Sequence, residues 1–277
     1  MKRYGGFWRF PHLIDFCYLV NPYFPSKRMI EEMMSNYKTL LTEYPSGQNV
    51  ESIIISNVFN VSKDHIVLGN GAAELIKMFV EEQHGKMGII CPTFNEYKNR
   101  YKHDLEMYYP DNEELRYNEN DVIEYFDGHA IDSLILINPD NPSGNYISLN
   151  GLITLLEWAK ERKIKVLIDE SFVDFVDISD EEKVEEGSLL QEDILERFPQ
   201  MYVVKSISKS YGVPGIRLGV LASADTEMIE RIKTKLPIWN INSMAENFIQ
   251  IINKYKNEYG NAMQHFREVR SDFIKEL

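Results

Sequence analysis

One segment of this 277-residue chain places a lysine among hydroxyl groups and an arginine, just after an apolar run. The run at residues 202–204 is rich in β-branched side chains and predicts a buried strand. Ligands of α/β sheets bind where such strands end. The amine of Lys209 is a nucleophile that can attack a carbonyl carbon, and Ser206, Ser208 and Arg217 could bind a phosphate.

An amine nucleophile beside a phosphate site predicts pyridoxal phosphate, bound to Lys209 as a Schiff base. Two alternatives stay open at this point. The segment could be an ordinary Ser-rich loop with a solvated lysine. Residues 206–209 also fit the S-x-x-K pattern of penicillin-recognising serine enzymes, with Ser206 as the nucleophile. That pattern needs S-D-N and K-T-G partners, and neither string occurs in the chain.

A second candidate group is the turn at residues 69–74, which contains Gly71, Ala72 and Ala73. It lies between a predicted strand at 66–68 and a predicted helix that begins at Leu75. Small residues in such a turn let backbone N–H groups close around an anion at the positive end of the helix. We therefore expect anion binding here. The turn is not a dinucleotide fingerprint, because Glu74 stands where the third glycine is required.

Further candidate groups also come directly after predicted strands: Phe94 after residues 87–91, Asn141 after 134–137 and Asp169 after 166–168. A predicted helix at 75–82 lies between the strands at 66–68 and 87–91, and another at 149–163 lies between those at 134–137 and 166–168. Alternation of strand, turn and helix is typical of an α/β fold with a mainly parallel sheet. In such sheets the carboxyl ends of the strands meet at one edge, where ligands bind. The candidate residues are therefore expected to lie close together.

Composition narrows the class of protein. The chain carries 43 acidic and 30 basic residues, a net charge of -13, which argues against binding to nucleic acid or to anionic membranes. Two cysteines imply no disulfide framework and suit a reducing compartment. No apolar run reaches membrane-spanning length, and the six histidines are scattered, so we expect no metal site. We expect a cytoplasmic protein.

The predicted domain organisation has three parts: an N-terminal arm with part of a small domain at 1–45, a large cofactor-binding domain at 46–240, and the helical start of a C-terminal small domain at 241–277. The acid-rich segment 177–193 is predicted to be a solvated surface. The last predicted helix runs to Leu277 without a glycine cap or a proline. We therefore expect a truncated small domain.

Together the motifs resemble those of fold-type I pyridoxal-phosphate enzymes in the class I/II aminotransferase superfamily. The resemblance covers residues 14–242 and is greatest to the branch with histidinol-phosphate aminotransferase and threonine-phosphate decarboxylase. It implies a three-layer αβα fold with a partial small domain. It also implies that Lys209 forms the Schiff base and acts as general base and acid at the substrate's α-carbon. Asp169 would face the pyridine nitrogen and keep it protonated.

The resemblance implies further roles around the cofactor. Phe94 would stack on the ring, and Asn141 would donate a hydrogen bond to the phenolic oxygen. Tyr44 would reach the phosphate of a neighbouring subunit, which implies a homodimer with shared sites, and Asn21 would lie on the substrate side. The residues implied to bind the phosphate are Gly71, Ala72, Ala73, Ser206, Ser208 and Arg217.

Two features depart from the family pattern. Phe172 stands where a tyrosine usually donates a second hydrogen bond to the phenolic oxygen, so we expect a perturbed pKa of the Schiff base. The arginine that clamps the substrate carboxylate comes from a C-terminal family segment, and neither Arg267 nor Arg270 matches its motif.

The leading functional prediction is an aminotransferase acting on an amino acid. The alternatives are a decarboxylase of an O-phospho-amino acid and a protein that binds pyridoxal phosphate without turnover. All three use the same residues, and the sequence does not name the substrate.

Overall fold

The structure, a computed structural model, describes residues 6–176 and 187–277. Its centre is a seven-stranded sheet with helices on both faces. The predicted α/β class is confirmed. The strands are β1 Ile66–Asn70, β2 Met87–Ile90, β3 Leu105–Tyr108, β4 Ser133–Ile137, β5 Lys165–Asp169, β6 Met201–Ser206 and β7 Leu218–Ala222.

The helices alternate with the strands through most of the chain. Single-turn 3-10 helices lie at Phe7–Arg9, Val173–Phe175, Pro214–Ile216 and Ile252–Tyr255. The α-helices are α1 Lys27–Ser35, α2 Tyr37–Thr42, α3 Gln48–Phe59, α4 Ala72–Glu81, α5 Asn95–Arg100, α6 Glu119–Asp127, α7 Leu149–Glu161, α8 Glu192–Arg197, α9 Ile207–Ser210, α10 Thr226–Lys235, α11 Ser243–Ile251 and α12 Lys256–Glu276.

The strand order β1-β7-β6-β5-β4-β2-β3 decides which loops meet. The pairs from β6 across to β3 are parallel, and β7 is antiparallel to both β6 and β1. Strand β1 therefore runs in the same direction as β6. As a result, the carboxyl ends of β1 to β6 and the beginning of β7 share one edge of the sheet.

The core fills both faces of this sheet. In β4, Leu134 and Leu136 belong to one apolar cluster, whereas Ile135 and Ile137 belong to the other. Successive side chains of a strand point to opposite faces, so a strand that is apolar throughout must be covered on both sides. The result is the expected three-layer arrangement, which holds the strand ends as a rigid platform.

The helical segment that follows Ser26 is divided at Asn36, whose N–H donates to the carbonyls of Met33 and Met34, so α1 and α2 are separate helices. Residues 177–186 of the predicted acidic surface lie outside the described part of the chain, and α8 forms within the adjoining stretch. The domain boundaries after residues 45 and 240 stay predictions.

Cys17 is exposed and Cys91 is buried, and both are free thiols. Within residues 6–176 and 187–277, no helix has the combined length and apolarity that a bilayer crossing requires. Over the same residues, no three His, Cys, Asp or Glu side chains come close enough together to hold a metal ion.

Candidate active site

The shared sheet edge brings the predicted residues together. Asp169 is the last residue of β5, and Lys209 lies in the single turn of α9 that follows β6. Arg217 directly precedes β7, and because β7 runs against its neighbours, its beginning lies at this same edge. A cation, an amine and a carboxylate from three adjacent strands therefore surround one space.

The Lys209 amine is held in a partly buried position over an aromatic ring. Its Nζ lies 3.7 Å from the centroid of Phe172, within the range of a cation–π contact. Burial lowers the pKa of Lys209, the negative charge of Asp169 raises it, and the positive charge of Arg217 lowers it further. The net shift is downward, which increases the fraction of neutral amine that can act as a nucleophile.

Two hydrogen bonds fix the buried carboxylate of Asp169. The hydroxyl of Tyr97 donates to Oδ2 at 2.7 Å, and the N–H of Ser171 donates to Oδ1 at 2.9 Å. Tyr97 is fully buried, and burial together with the charge of Asp169 raises the pKa of this phenol well above its usual value. The hydroxyl thus stays protonated as a donor. Sequence reasoning missed Tyr97, although it lies three residues after Phe94 and follows the same strand end.

The turn between β1 and α4 has the form of an anion site. Gly71 adopts a φ of 79° and precedes the first residue of α4. A side chain on Gly71 would collide with the Arg217 guanidinium, and one on Gly219 would collide with the backbone nitrogen of Ala72. The two glycines therefore allow Arg217 to approach the start of the helix. The first N–H groups of a helix have no intrahelical partner, so those of Ala72 and Ala73 can receive an anion beside this cation.

The two predicted serines differ in their surroundings. Ser206 ends β6, and its N–H donates to the hydroxyl of Ser171 at 3.1 Å. The Ser208 hydroxyl accepts from the N–H of Leu218 at 3.0 Å and donates to its carbonyl at 3.3 Å. A contact from Ser208 to a phosphate would need this hydroxyl proton to turn away from Leu218. The structure thus uses Ser208 to hold β7 beside α9.

Phe94 and Asn141 occupy loops at the same edge. Phe94 directly precedes α5, is 40% exposed, and meets Tyr97 edge-on at 6.3 Å. Asn141 lies partly buried in the loop after β4. The buried Asn138 pins this loop, since its amide exchanges hydrogen bonds with the backbone of Ile147 at 2.8 and 2.9 Å. An aromatic ring and an amide are thus available to a planar ligand.

Asn21 is placed differently from expectation. It is 1% exposed, and its Nδ2 donates to the carbonyl of Ser210 at 2.9 Å and to the sulfur of Met263 at 3.2 Å. Its Oδ1 accepts from the N–H of Tyr23 at 2.9 Å, and its own N–H donates to the Lys209 carbonyl at 3.0 Å. This buried, fully used amide does not support the predicted contact with substrate. Instead, Asn21 anchors the backbone that carries Lys209.

Tyr44 lies on the surface. Its ring is 78% exposed and stacks on Trp239 with centroids 4.2 Å apart. An exposed tyrosine is free to meet a second chain, so its predicted role at a neighbouring site stays a prediction.

These residues define the ligand that would fit them. A carbonyl carbon could react with the Lys209 amine, a basic ring nitrogen could face Asp169, and a phosphate could enter the turn at Gly71 beside Arg217. The close approach of Arg217 to the start of α4, which Gly71 and Gly219 allow, together with this set of donors suits a flat phosphorylated aldehyde. Pyridoxal 5'-phosphate has all three groups.

The sequence matches the family described as aminotransferase class I and II over residues 55–277. It is 30% identical over 275 residues to an L-serine phosphate decarboxylase from Sulfurospirillum multivorans, covering 95% of this chain and 67% of that protein. A decarboxylase structure from the same organism superposes with a TM-score of 0.85 at 27% identity, over 97% of this chain and 70% of that one.

Two further similarities extend the comparison. A CMP-5'-(3-aminopropyl)phosphonate synthase from Streptomyces rubellomurinus is 30% identical over 96% of this chain, which spans 41% of that protein's length. The structure of a histidinol-phosphate aminotransferase from Clostridium acetobutylicum superposes with a TM-score of 0.80 at 28% identity, over 95% of this chain and 76% of that one. The predicted resemblance is confirmed, and with it pyridoxal 5'-phosphate as the cofactor.

Proposed function

Because this chain belongs to the aminotransferase class I and II family of pyridoxal-phosphate enzymes, we propose that it decarboxylates an O-phospho-L-amino acid. The observation that carries the choice of reaction is its likeness to the serine phosphate decarboxylase along nearly the whole chain. The superposition on a decarboxylase structure supports the same choice. The sequence motifs alone had favoured transamination, which becomes the second candidate.

When bound, the cofactor accepts the negative charge that develops at the substrate's α-carbon. The residues of this chain bind, orient and move protons around that centre. Arg217 and the N–H groups of Ala72 and Ala73 would bind the phosphate, and Asp169 would hold a proton on the ring nitrogen. Tyr97 and Ser171 keep the Asp169 carboxylate oriented for this task.

Lys209 has two tasks in either reaction. Its neutral amine, which the lowered pKa favours, would hold the cofactor covalently at the carbonyl carbon, with release of water. With a substrate amine in that place, the freed Lys209 amine would carry protons to and from the α-carbon. In decarboxylation it delivers a proton to the α-carbon after CO2 has left, whereas in transamination it first removes the α-proton.

The second candidate, an aminotransferase, is supported by the similarity to the histidinol-phosphate aminotransferase structure. In both reactions a bond to the α-carbon breaks, and that carbon carries the amino group. Lys209, Asp169 and Arg217 could serve either reaction. The two differ in which bond to the α-carbon is broken.

Product analysis tests the choice. We would incubate the holoenzyme separately with O-phospho-L-serine, O-phospho-L-threonine and L-histidinol phosphate. Decarboxylation predicts CO2 and a phosphorylated amine from a phospho-amino acid, with the cofactor unchanged; L-histidinol phosphate, which has no carboxylate, can only report transamination. Formation of pyridoxamine phosphate without CO2 would replace decarboxylation by transamination. A visible cofactor band with neither product would contradict both.

We also propose that the chain forms a homodimer in which Tyr44 contacts the neighbouring site. Support comes from large exposed side chains on α1 and α2, which recur every three or four residues in the segment before Tyr44; exposed apolar side chains that form a group mark contact surfaces. The exposed fractions are 43% for Ile30, 68% for Met34, 53% for Tyr37 and 65% for Leu41.

A further inference from the structure

Strand β1 lies at one edge of the sheet. On its outer side, the backbone forms hydrogen bonds with the side chain of Gln48. The N–H of Leu68 donates to Gln48 Oε1 at 3.3 Å, and Gln48 Nε2 donates back to the Leu68 carbonyl at 2.7 Å. The Gln48 amide thus imitates a peptide unit. Unpaired backbone groups at a buried position are costly, so this pair stabilises the strand just before the turn at residues 69–73.

Asn240 completes the same arrangement from the segment between α10 and α11. Its Nδ2 donates to the Leu68 carbonyl at 3.2 Å and to Glu74 Oε2 at 3.0 Å. Its Oδ1 accepts from Gln48 Nε2 at 2.8 Å. Both amide protons and the amide oxygen of Asn240 therefore have partners. The side chain connects β1, α3 and the first turn of α4.

The connection continues into the turn itself. Glu74 Oε2 also accepts from the N–H of Asn70 at 2.7 Å. A continuous chain of hydrogen bonds therefore runs from Gln48 through Asn240 and Glu74 to Asn70, the residue before Gly71. It fixes the backbone on both sides of Gly71. The directions of the Ala72 and Ala73 N–H groups depend on that backbone.

We propose that Gln48 and Asn240 are positioning residues for the cofactor's phosphate, an inference that rests on the proposed function, which uses pyridoxal phosphate. Neither residue needs to touch the phosphate. They hold the turn at residues 69–73 in the shape that directs its N–H groups, together with Arg217, toward one anion. Removing either amide lets the turn relax, which weakens binding of the phosphate and leaves the rest of the cofactor site intact.

The neighbour of Asn240 extends this role to the surface. Trp239 adopts a φ of 54° and stacks on Tyr44. Residues 239 and 240 thus support two groups at once, the phosphate turn of their own chain and the tyrosine proposed to meet the phosphate of another chain.

The test compares two cofactors that differ only in the phosphate. Dissociation constants for pyridoxal 5'-phosphate and for pyridoxal would be measured by visible absorbance in wild type, Asn240→Ala and Gln48→Ala. We expect the preference for the phosphorylated form to fall about tenfold in each variant, the effect of one hydrogen bond that positions a charged group. Binding of pyridoxal should change little.

The matched control is Gln200→Ala. Gln200 also donates its amide to a backbone carbonyl, that of Leu156, at 3.1 Å, but it precedes β6 at the opposite edge of the sheet. The control should keep the wild-type preference for the phosphorylated cofactor.

Asn240→Asp retains the size of the side chain but places an oxygen against the Leu68 carbonyl and Glu74. We therefore expect it to lose more of the preference for the phosphorylated cofactor than Asn240→Ala does. In the double variant, the preference for the phosphorylated cofactor should fall by less than the product of the two single fold-changes, because Gln48 and Asn240 share a hydrogen bond.

The results of this experiment either support or overturn the positioning role of Gln48 and Asn240. An unchanged preference in Asn240→Ala and Asn240→Asp would overturn it, as would an equal loss for both cofactors, which is the mark of a general structural role. If wild type gives no absorbance band with pyridoxal 5'-phosphate, the proposed function itself fails. A wild-type band with unaltered preferences in the variants overturns only the positioning role.

Discussion

The amine of Lys209 is controlled by groups that act in opposite directions. Burial and Arg217 favour its neutral form, while Asp169 and the ring of Phe172 favour its charged form. A nucleophile that must also carry protons benefits from this balance, because both protonation states stay accessible. The identity of residue 172 therefore affects the reacting group directly.

We expect Phe172→Tyr to lower the pH midpoint at which the visible band of the bound cofactor changes. A hydroxyl at this position would donate to the cofactor's phenolic oxygen and reduce the negative charge that stabilises the protonated Lys209 nitrogen. One such hydrogen bond corresponds to a shift of roughly half to one pH unit. Absorbance titration of the two holoproteins measures it.

Phe172→Leu is the control for this substitution. It also lacks a hydroxyl but removes the ring below Lys209, so it separates the two properties of the side chain. Equal shifts in the Tyr and Leu variants would contradict the explanation by a hydrogen bond, and so would identical midpoints in wild type and Phe172→Tyr.

At the scale of elements, a buried carboxyl lies between α3 and α11. Glu51 is 1% exposed, and burial together with the negative charge of Glu246 raises its pKa from 4.5 to about 8. Glu246 itself accepts from the N–H of Ser46 at 2.7 Å and from Gln250. The charge of Glu246 thus holds the loop before α3 in place, while Glu51 stays protonated at neutral pH.

This carboxyl makes the stability depend on pH. Between about pH 4.5 and 8 the folded chain keeps a proton on Glu51 that the unfolded chain releases, so stability falls as pH rises through this window. We expect Glu51→Gln to remove the fall. Relative to wild type, the variant should gain on the order of 2–4 kcal/mol between pH 5 and pH 9.

Urea unfolding at pH 5, 7 and 9 measures the difference. Glu31→Gln is the control, because Glu31 lies exposed on α1 and its loss should leave the pH dependence unchanged. Parallel curves of stability against pH for wild type and Glu51→Gln would show that Glu51 is already ionised in the folded protein.

Much of the framework could be predicted because strands and their turns carry local signals. Apolar runs that end in Gly, Asn, Asp or Ser located β1, β4, β5 and β6. Other features could not be predicted in this way. The reversed direction of β7 leaves no mark in its own residues, and α6 was overlooked despite the capping box of Asn118 and Asp121. The break at Asn36 depends on how α1 and α2 pack, which local pattern does not report.

Within the site, too, residues next to a strand end could be predicted, whereas residues with distant partners could not. Lys209, Asp169 and Arg217 could be found because each follows or precedes a strand within a few residues. Tyr97 and Asn240 act on partners 72 and 166 residues away in sequence, so their roles emerge only when the sheet assembles. Asn21 was singled out by its motif, but its buried amide acts on the backbone of the lysine turn rather than outward.

At the scale of the whole molecule, a shared site can be tested by mixing two defective chains. Lys209→Ala cannot form the covalent bond, and Tyr44→Ala cannot support its neighbour's phosphate. If Tyr44 acts across the interface, a mixed dimer contains one site with an intact Lys209 and an intact Tyr44 from the other chain. We expect that mixing and re-associating the two variants restores tight cofactor binding to one site per mixed dimer.

Titration of the mixture with pyridoxal 5'-phosphate measures this restoration, with each variant alone as the control. Sedimentation of wild type checks that a dimer exists. A monomer in solution, or a mixture that binds no better than its separate components, would contradict the role of Tyr44 at a neighbouring site.

The central claim is that Lys209 is the lysine that binds the cofactor covalently. We would load wild type and Lys209→Ala with pyridoxal 5'-phosphate, reduce both with borohydride, and locate the modified residue by mass spectrometry of peptides. The expected result is a visible band in wild type and a cofactor fixed on Lys209, with no fixed cofactor in the variant. Modification instead of Lys205, a buried lysine whose amine lies 2.7 Å from Asp174, or of no lysine at all, would contradict the claim.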